Sequence, residues 1–291
     1  MQIADGLDRF VTQLEADGRS VHTIGQYRRH VRLFARWCRD VRHGGAVGDV
    51  GHEDIARFLS SPVAHTRPDG ARKLESSVNA LRSSLRGFFG YLHRAGDIAL
   101  DPTRLTRRAL CGQSPPRGLS DDERQRLLDV LAEGEGPEAR RDHLLFHVML
   151  TTGIRLGAAV AINVEDVDVV HGEIELRHGK GNRPARVFLG QAIREHLDEY
   201  LCDLVSGPLF PGRDGEPITP RHVHRRLRQW LKKAGINRPV SPHTLRHAFA
   251  MGLYQRTGDI LLVKEALHHR SIASTLIYAR ADEERLRRAL A

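Results

Sequence analysis

The sequence predicts a mainly α-helical protein with a small antiparallel β-sheet, laid out as an N-terminal helical bundle and a C-terminal mixed α+β domain. Three features carry this reading. Apolar residues recur every three or four positions through most of the 291 residues. One pair of short segments alternates apolar and polar residues with period two, as hairpin strands do. Between them, Gln113-Ser-Pro-Pro-Arg-Gly118 breaks the helical pattern with an extended basic stretch.

In the first part, Ser20 can cap a helix whose apolar positions are Ile24, Tyr27, Val31, Phe34 and Cys38. A second short helix is expected over Asp49–Leu59 and a third over Arg72–His93. The buried stripe of the third would be Leu74, Val78, Leu81, Leu85, Phe88, Phe89 and Leu92. Arg82 and Arg86, four apart, share a different face. Ser120 with Glu123 forms a capping-box pattern that opens a helix over Asp121–Leu131. Further helices are expected over Glu138–Leu150, from Arg155 to Ile162, and over Gln191–Leu204, Thr219–Ala234, Pro242–Thr257 and Ile260–Leu267. The last runs from Ile272 through Tyr278. The strands are Glu173–Arg177 and Ala185–Leu189, joined by the turn Gly179-Lys-Gly-Asn-Arg-Pro184. The expected domains are therefore 1–108 and 119–291, with a linker at 109–118.

Composition narrows the function. With 40% hydrophobic and 28% charged residues the chain is globular rather than disordered. It has no run of about eighteen apolar residues and no basic-then-apolar start, so neither a membrane span nor a secretory signal is expected. Three cysteines, Cys38, Cys111 and Cys202, are far apart and lack metal-ligand spacing, which fits a reducing cytoplasm. The net charge of +9 and pI near 10.0 call for a polyanionic partner. Residues 1–108 alone hold 18 Lys+Arg against 12 Asp+Glu. Nearly all the basic residues are arginine, whose planar fork matches phosphate oxygens; a GC-rich genome would produce the same bias.

Several residues could carry chemistry. His243 and Arg246 share one face at the start of a helix, near its positive end, where an anion can bind. His247, one residue on, is expected to point into the core. Arg155 follows the Gly153 turn and can reach into a cleft, while Lys180 sits between two glycines at the hairpin tip. Tyr278 closes the run that begins at Ala266, with His269 nine residues before it. Zinc sites at His243/His247, His222/His224 or His268/His269 lack the third ligand and the glutamate of a zincin.

Taken together, Thr152-Gly-Ile-Arg155, Gly179-Lys-Gly-Asn182, His243-Thr-Leu-Arg246 and the His269-to-Tyr278 spacing resemble the boxes of the tyrosine recombinases, the lambda-integrase-like and Xer-like site-specific DNA recombinases. The resemblance covers essentially the whole chain. It implies a core-binding domain over 1–108 and a catalytic domain with a C-terminal tail over 119–291. Four positions depart from the pattern: Gly157-Ala158 replace a usual Ser-Glu, His268 replaces a glycine, and Met251 replaces a threonine.

The resemblance implies that Tyr278 attacks a DNA phosphodiester to form a 3′-phosphotyrosyl intermediate, leaving a free 5′-hydroxyl. Arg155, Arg246 and His269 would hold the phosphate, His243 would accept the phenol proton, and Lys180 would protonate the leaving oxygen. An unperturbed tyrosine costs about 4 kcal/mol to ionise at pH 7, so neighbouring cations must offset much of that. One ester replaces another, so neither ATP nor any metal or other cofactor is required. The expected partner is a double-stranded DNA site, bound by a homotetramer or together with a paralogous recombinase, and passing through a Holliday junction. Arg28, Arg29, Arg82 and Arg86 are the expected DNA contacts. The tail Glu283–Ala291 is expected to dock on a neighbouring protomer. The same pocket would also suit type IB topoisomerase-like strand relaxation, and a catalytically silent DNA-binding protein is the reading from another class.

Overall fold

The computed structural model describes residues 1–42, 44–111, 118–177, 185–202, 204, 206–269 and 271–279. The chain forms two compact units, Met1–Gln113 and Ser114–Ala291. Among the described residues no helix is long and apolar enough to cross a membrane.

The first unit is all helical: α1 (Ile3–Ala16), α2 (Val21–Arg42), α3 (His52–Ser60), the single turn α4 (Pro62–His65) and α5 (Glu75–Arg94). Its core is aromatic. Phe34, on α2, packs edge-on against Phe58 and Phe89 with centroids 5.1 and 5.7 Å away, and all three rings are fully buried. Such edge-to-face pairs add to the area they bury. Ile24, Val31, Phe34 and Cys38 line the inner face of α2 as the periodicity predicts, and the Ser20 hydroxyl accepts from the Thr23 amide at 3.3 Å.

Two expectations for this unit need correction. The third predicted helix begins at Glu75, three residues later than expected, because residues 66 and 72 pair as an isolated bridge. Leu74 is therefore the N-cap residue, 66% exposed, and stands outside the stripe that Val78, Leu81, Leu85, Phe88, Phe89 and Leu92 form. The periodic reading also assigned no helix to the amphipathic α1, whose Ile3, Leu7, Phe10, Val11 and Leu14 are all buried.

The second unit opens with α6 (Asp121–Ala132) and α7 (Pro137–Thr152), followed by the single turn α8 (Leu156–Ala159). The predicted capping box is formed. Ser120 Oγ accepts from the Glu123 amide at 3.1 Å, and Glu123 Oε2 accepts from the Ser120 amide at 2.9 Å. An antiparallel sheet follows in the order β1 (Val167–Asp168), β2 (Glu173–Leu176), β3 (Ala185–Phe188). Ile174 pairs with Val187, and both side chains are buried. The turn between β2 and β3, with Lys180, lies outside the described residues. So do residues 112–117 of the expected linker and the tail 283–291.

The remaining helices are α9 (Gln191–Leu201), α10 (Pro220–Lys233), α11 (Pro242–Thr257), α12 (Ile260–Ala266) and the single turn α13 (Leu276–Ala279). Thr219 and Ser241 cap α10 and α11, each with a proline at the first turn.

A buried ionic knot joins α7 to α10. Asp142, fully buried, accepts from Arg141 Nη2 and from Trp230 Nε1, both at 2.8 Å, and from Arg226 Nε. Arg141 also donates to the Pro211 carbonyl at 2.8 Å. Removing the carboxylate would leave two arginines and an indole N–H without their acceptor. Asp142→Ala should lower stability by about 3–5 kcal/mol, measured by urea unfolding of the full chain.

Near the surface, Arg238 clamps Glu123 with both arms, Nε to Oε1 at 2.8 Å and Nη2 to Oε2 at 2.6 Å. Chiefly through these bonds the carboxyl is held down to about 2, against an ordinary 4.5. A carboxyl depressed in the folded state contributes stability in full above about pH 4.5 and loses it as pH falls toward about 2. The stability difference between the native chain and Glu123→Gln, followed by denaturant unfolding, should be constant above pH 4.5 and shrink below it.

Candidate active site

Arg246, on the first turns of α11, organises the site. The residue is only 3% exposed, and its guanidinium donates from Nη1 to the Gly153 carbonyl at 2.5 Å and from Nη2 to the Leu267 carbonyl at 2.6 Å. One side chain thus joins the end of α7, the start of α11 and the end of α12. Both acceptors are neutral carbonyls, and among the described residues no carboxylate pairs with Arg246 or Arg155. Burial, then the charge of Arg155, pushes Arg246 down to about 10. The described residues thus make this site cationic, the charge an anion-binding pocket requires.

The Gly153 turn depends on its residue type. Its φ is +62°, in the left-handed region, and a Cβ there would lie 2.3 Å from Phe249 Cδ1 on α11. Only glycine allows both the conformation and the contact. The turn delivers Arg155, the N-cap of α8, half-buried and with its pKa lowered by burial. Arg155 and Arg246 are close enough that each charge also lowers the pKa of His243, after the larger effect of burial.

Tyr278 is 3% exposed, on α13. Its hydroxyl and His247 Nδ1 lie 2.8 Å apart, and the rings meet edge-on with centroids 5.6 Å apart. This corrects the expectation for His247. It is half-buried and faces the tyrosine rather than the core, because the four-residue spacing puts it on the same side of α11 as His243. Those two rings pack at 4.4 Å. Burial first, then His243 and Arg246, pushes His247 down to about 4, so it is neutral at pH 7. Burial raises the Tyr278 phenol above its ordinary 10, and the Arg246 charge opposes that rise.

Of the six expected catalytic residues, Arg155, His243, Arg246 and Tyr278 converge. Lys180 lies outside the described residues. His269 hydrogen-bonds through Nδ1 to Thr275 Oγ1 at 2.9 Å, which ties it to the segment leading to Tyr278. Its neighbour His268 senses both Arg246 and Arg155, which contribute to lowering its pKa after the leading effect of burial. His268 has φ +49°, the only positive φ on a non-glycine residue among those described. That geometry explains why glycine suits this position.

The expected DNA contacts differ in availability. Arg29 and Arg86 are exposed. Arg28 is exposed and lies 3.7 Å from Glu15. Arg82 is largely covered, its side chain 15% exposed; it donates to Asn79 Oδ1 at 2.9 Å and lies 3.6 Å from Glu75.

Comparison with known proteins agrees with this geometry. The chain belongs to the phage integrase family, the tyrosine-type site-specific recombinases: the phage integrase family matches residues 117–285, and the phage integrase N-terminal SAM-like domain matches 7–96. Among individual relatives, tyrosine recombinase XerC of Chromobacterium violaceum is 31% identical over 286 residues, covering 97% of this chain and 92% of the relative. Tyrosine recombinase XerD of Pseudomonas putida is 32% identical over 289 residues, covering 96% and 94%. The structure of XerH site-specific recombinase bound to difH substrate, a pre-cleavage complex, aligns with TM-score 0.74 at 25% identity, over 97% of this chain and 84% of that one. A lambda integrase (75–356) dimer bound to a COC′ core site shares the fold, with TM-score 0.70 at 20% identity over 94% and 96%.

The left-handed backbone at His268 costs a side chain with a Cβ about 1 kcal/mol. His268→Gly should therefore stabilise the protein by about that amount, read as a higher melting temperature.

Proposed function

We propose that the chain cuts and rejoins DNA strands at a specific double-stranded site through a 3′-phosphotyrosyl bond from Tyr278. The observation that carries this reading is a pair of neighbouring guanidinium groups, Arg155 and Arg246, with no carboxylate partner among the described residues, and a buried tyrosine that feels the charge of Arg246. A scissile phosphate supplies the missing negative charge, and its non-bridging oxygens accept from the two arginines. In the resting site the phenol is parked on His247. Because Tyr278 is 3% exposed, attack requires its segment to move toward the phosphate. The charge of Arg246, which opposes the rise that burial imposes on the phenol, offsets part of the cost of ionising it.

His243, exposed beside His247, is the proton acceptor for the attacking hydroxyl, and His269 donates a further hydrogen bond to the phosphate. Lys180, between β2 and β3 in the sequence, protonates the leaving 5′ oxygen. The 5′-hydroxyl of another strand then reverses the ester exchange, so no external energy source enters. Two rounds of exchange pass through a Holliday junction and use four protomers, either one kind of chain or this chain with a paralogue. Residues 1–108 are the DNA-clamping domain, 109–118 the linker and 119–291 the catalytic domain. Arg28, Arg29 and Arg86 offer exposed charge to DNA phosphates; Arg82 would first have to leave Asn79 and Glu75. The work is done in the cytoplasm, where the chromosome lies.

A nicked suicide substrate carrying the chain's own recombination site tests the reading. The expected product is a covalent protein–DNA adduct that resists denaturant, absent in Tyr278→Phe and reduced at least a hundredfold in Arg246→Ala. Tight DNA binding with no adduct in the unsubstituted chain overturns it.

A further inference from the structure

Outside the set of reacting groups, three histidines of the second unit meet between α7 and α9. His143 and His147 lie one helical turn apart on α7, and His196 reaches across from α9. The His143 and His196 rings lie 4.2 Å apart, centroid to centroid, and the His143 and His147 rings stack at 5.9 Å. One nitrogen from each ring lies within 4.8 Å of the other two, and this is the one such trio of metal-ligating groups among the described residues.

The polar atoms here are poorly served. Nδ1 of His147 and Nδ1 of His196 are buried with no hydrogen-bond partner among the described residues. An orphaned buried polar atom costs about 1–3 kcal/mol, so such atoms in one cluster ask for a shared partner. The rings open onto a cavity of about 490 Å³ whose wall includes the carboxylates of Glu195 and Glu199. Glu199 is three residues from His196 on the same helix, where a carboxylate can balance a bound cation.

We infer that His143, His147 and His196 form a binding site for a divalent transition metal, with Zn²⁺ as the best-fitting ion. Four-coordinate zinc, with nitrogens at about 2.05 Å, sets N···N separations near about 3.3 Å. Donors already within 4.8 Å reach that geometry by small side-chain rotations. Imidazole suits Zn²⁺, Co²⁺, Ni²⁺ and Cu²⁺, whereas Mg²⁺ and Ca²⁺ prefer oxygen. Three protein ligands leave a fourth position facing the cavity, open to water or to one of the two glutamates.

The ion would act as a clamp between α7 and α9. His147 is six residues, about 9 Å of helix, before Gly153, so ligands in the middle of α7 brace the helix whose C-terminal end leads to Arg155. This role is independent of how DNA is cut.

The test uses the full chain, free of any affinity tag and stripped with a chelator. Calorimetric titration with Zn²⁺ should show one equivalent bound per chain. A hundredfold excess over Kd should raise the melting temperature by roughly 5 °C, and Mg²⁺ should do nothing. Co²⁺ should produce the visible absorption of a four-coordinate complex. The variant His143→Gln/His196→Gln should lose all three responses while melting with chelator as the unsubstituted chain does, and His243→Gln should keep them. A second measurement needs no variant: Zn²⁺ should protect His143, His147 and His196 from carbethoxylation, read by mass spectrometry. Absence of stoichiometric binding, retention of binding in the double variant, or protection confined to other histidines overturns the site.

Discussion

The second unit is organised around one buried cation. Arg246 spends two of its donors on the carbonyls of Gly153 and Leu267, and those bonds determine where α7 ends, where α12 ends and how α11 lies between them. Neutral carbonyls satisfy the donors without cancelling the charge. Burying a guanidinium in this way costs free energy, and Arg155 nearby makes the cost larger. A fold that keeps two such groups side by side has a built-in deficit of negative charge. In the proposed function a DNA phosphate is what fills it, its oxygens accepting from the two guanidinium groups.

The proposed nucleophile is held in the opposite way. Tyr278 sits in a small apolar cluster with Ala250, Val263 and Leu267, with its hydroxyl engaged by a neutral His247. Burial favours the neutral phenol and Arg246 favours the phenolate, and burial is the larger effect. The resting site therefore restrains its own nucleophile. Bringing it to the phosphate changes both terms together, since leaving the apolar cluster removes the desolvation penalty while approach to the guanidinium groups strengthens the attraction. Positioning and activation are one movement in this arrangement.

Much of this was legible in the chain. The capping box of Ser120 with Glu123 places α6 correctly, because a cap is a local bond between residues a few positions apart. The strand pair was legible for the same reason, from alternation within four residues. Leu74 was misplaced because periodicity marks a face but not where a helix starts, and a bridge between Thr66 and Arg72 decided that start. Arg82 showed as a basic residue on an outer face, yet Asn79 and Glu75 occupy it; which donor takes which acceptor is settled by rotamers. The spacing of His143 and His147 was visible as an i, i+4 pair, but with no third ligand nearby in sequence it carried no signal.

Sequence alone determined the helical character with its small sheet, the family to which the chain belongs, the basic charge that calls for a polyanion, and which residues are proposed as the reacting groups. All of these reside in residue type and short-range spacing. Tertiary structure decided what long-range contact decides: that Arg246 is held by carbonyls 93 and 21 residues away, that His247 rather than a core contact receives the Tyr278 hydroxyl, and that His196 closes a trio with two histidines on another helix. Chain spacing cannot encode such meetings, because the loops between the helices set no fixed distance until the packed core imposes one.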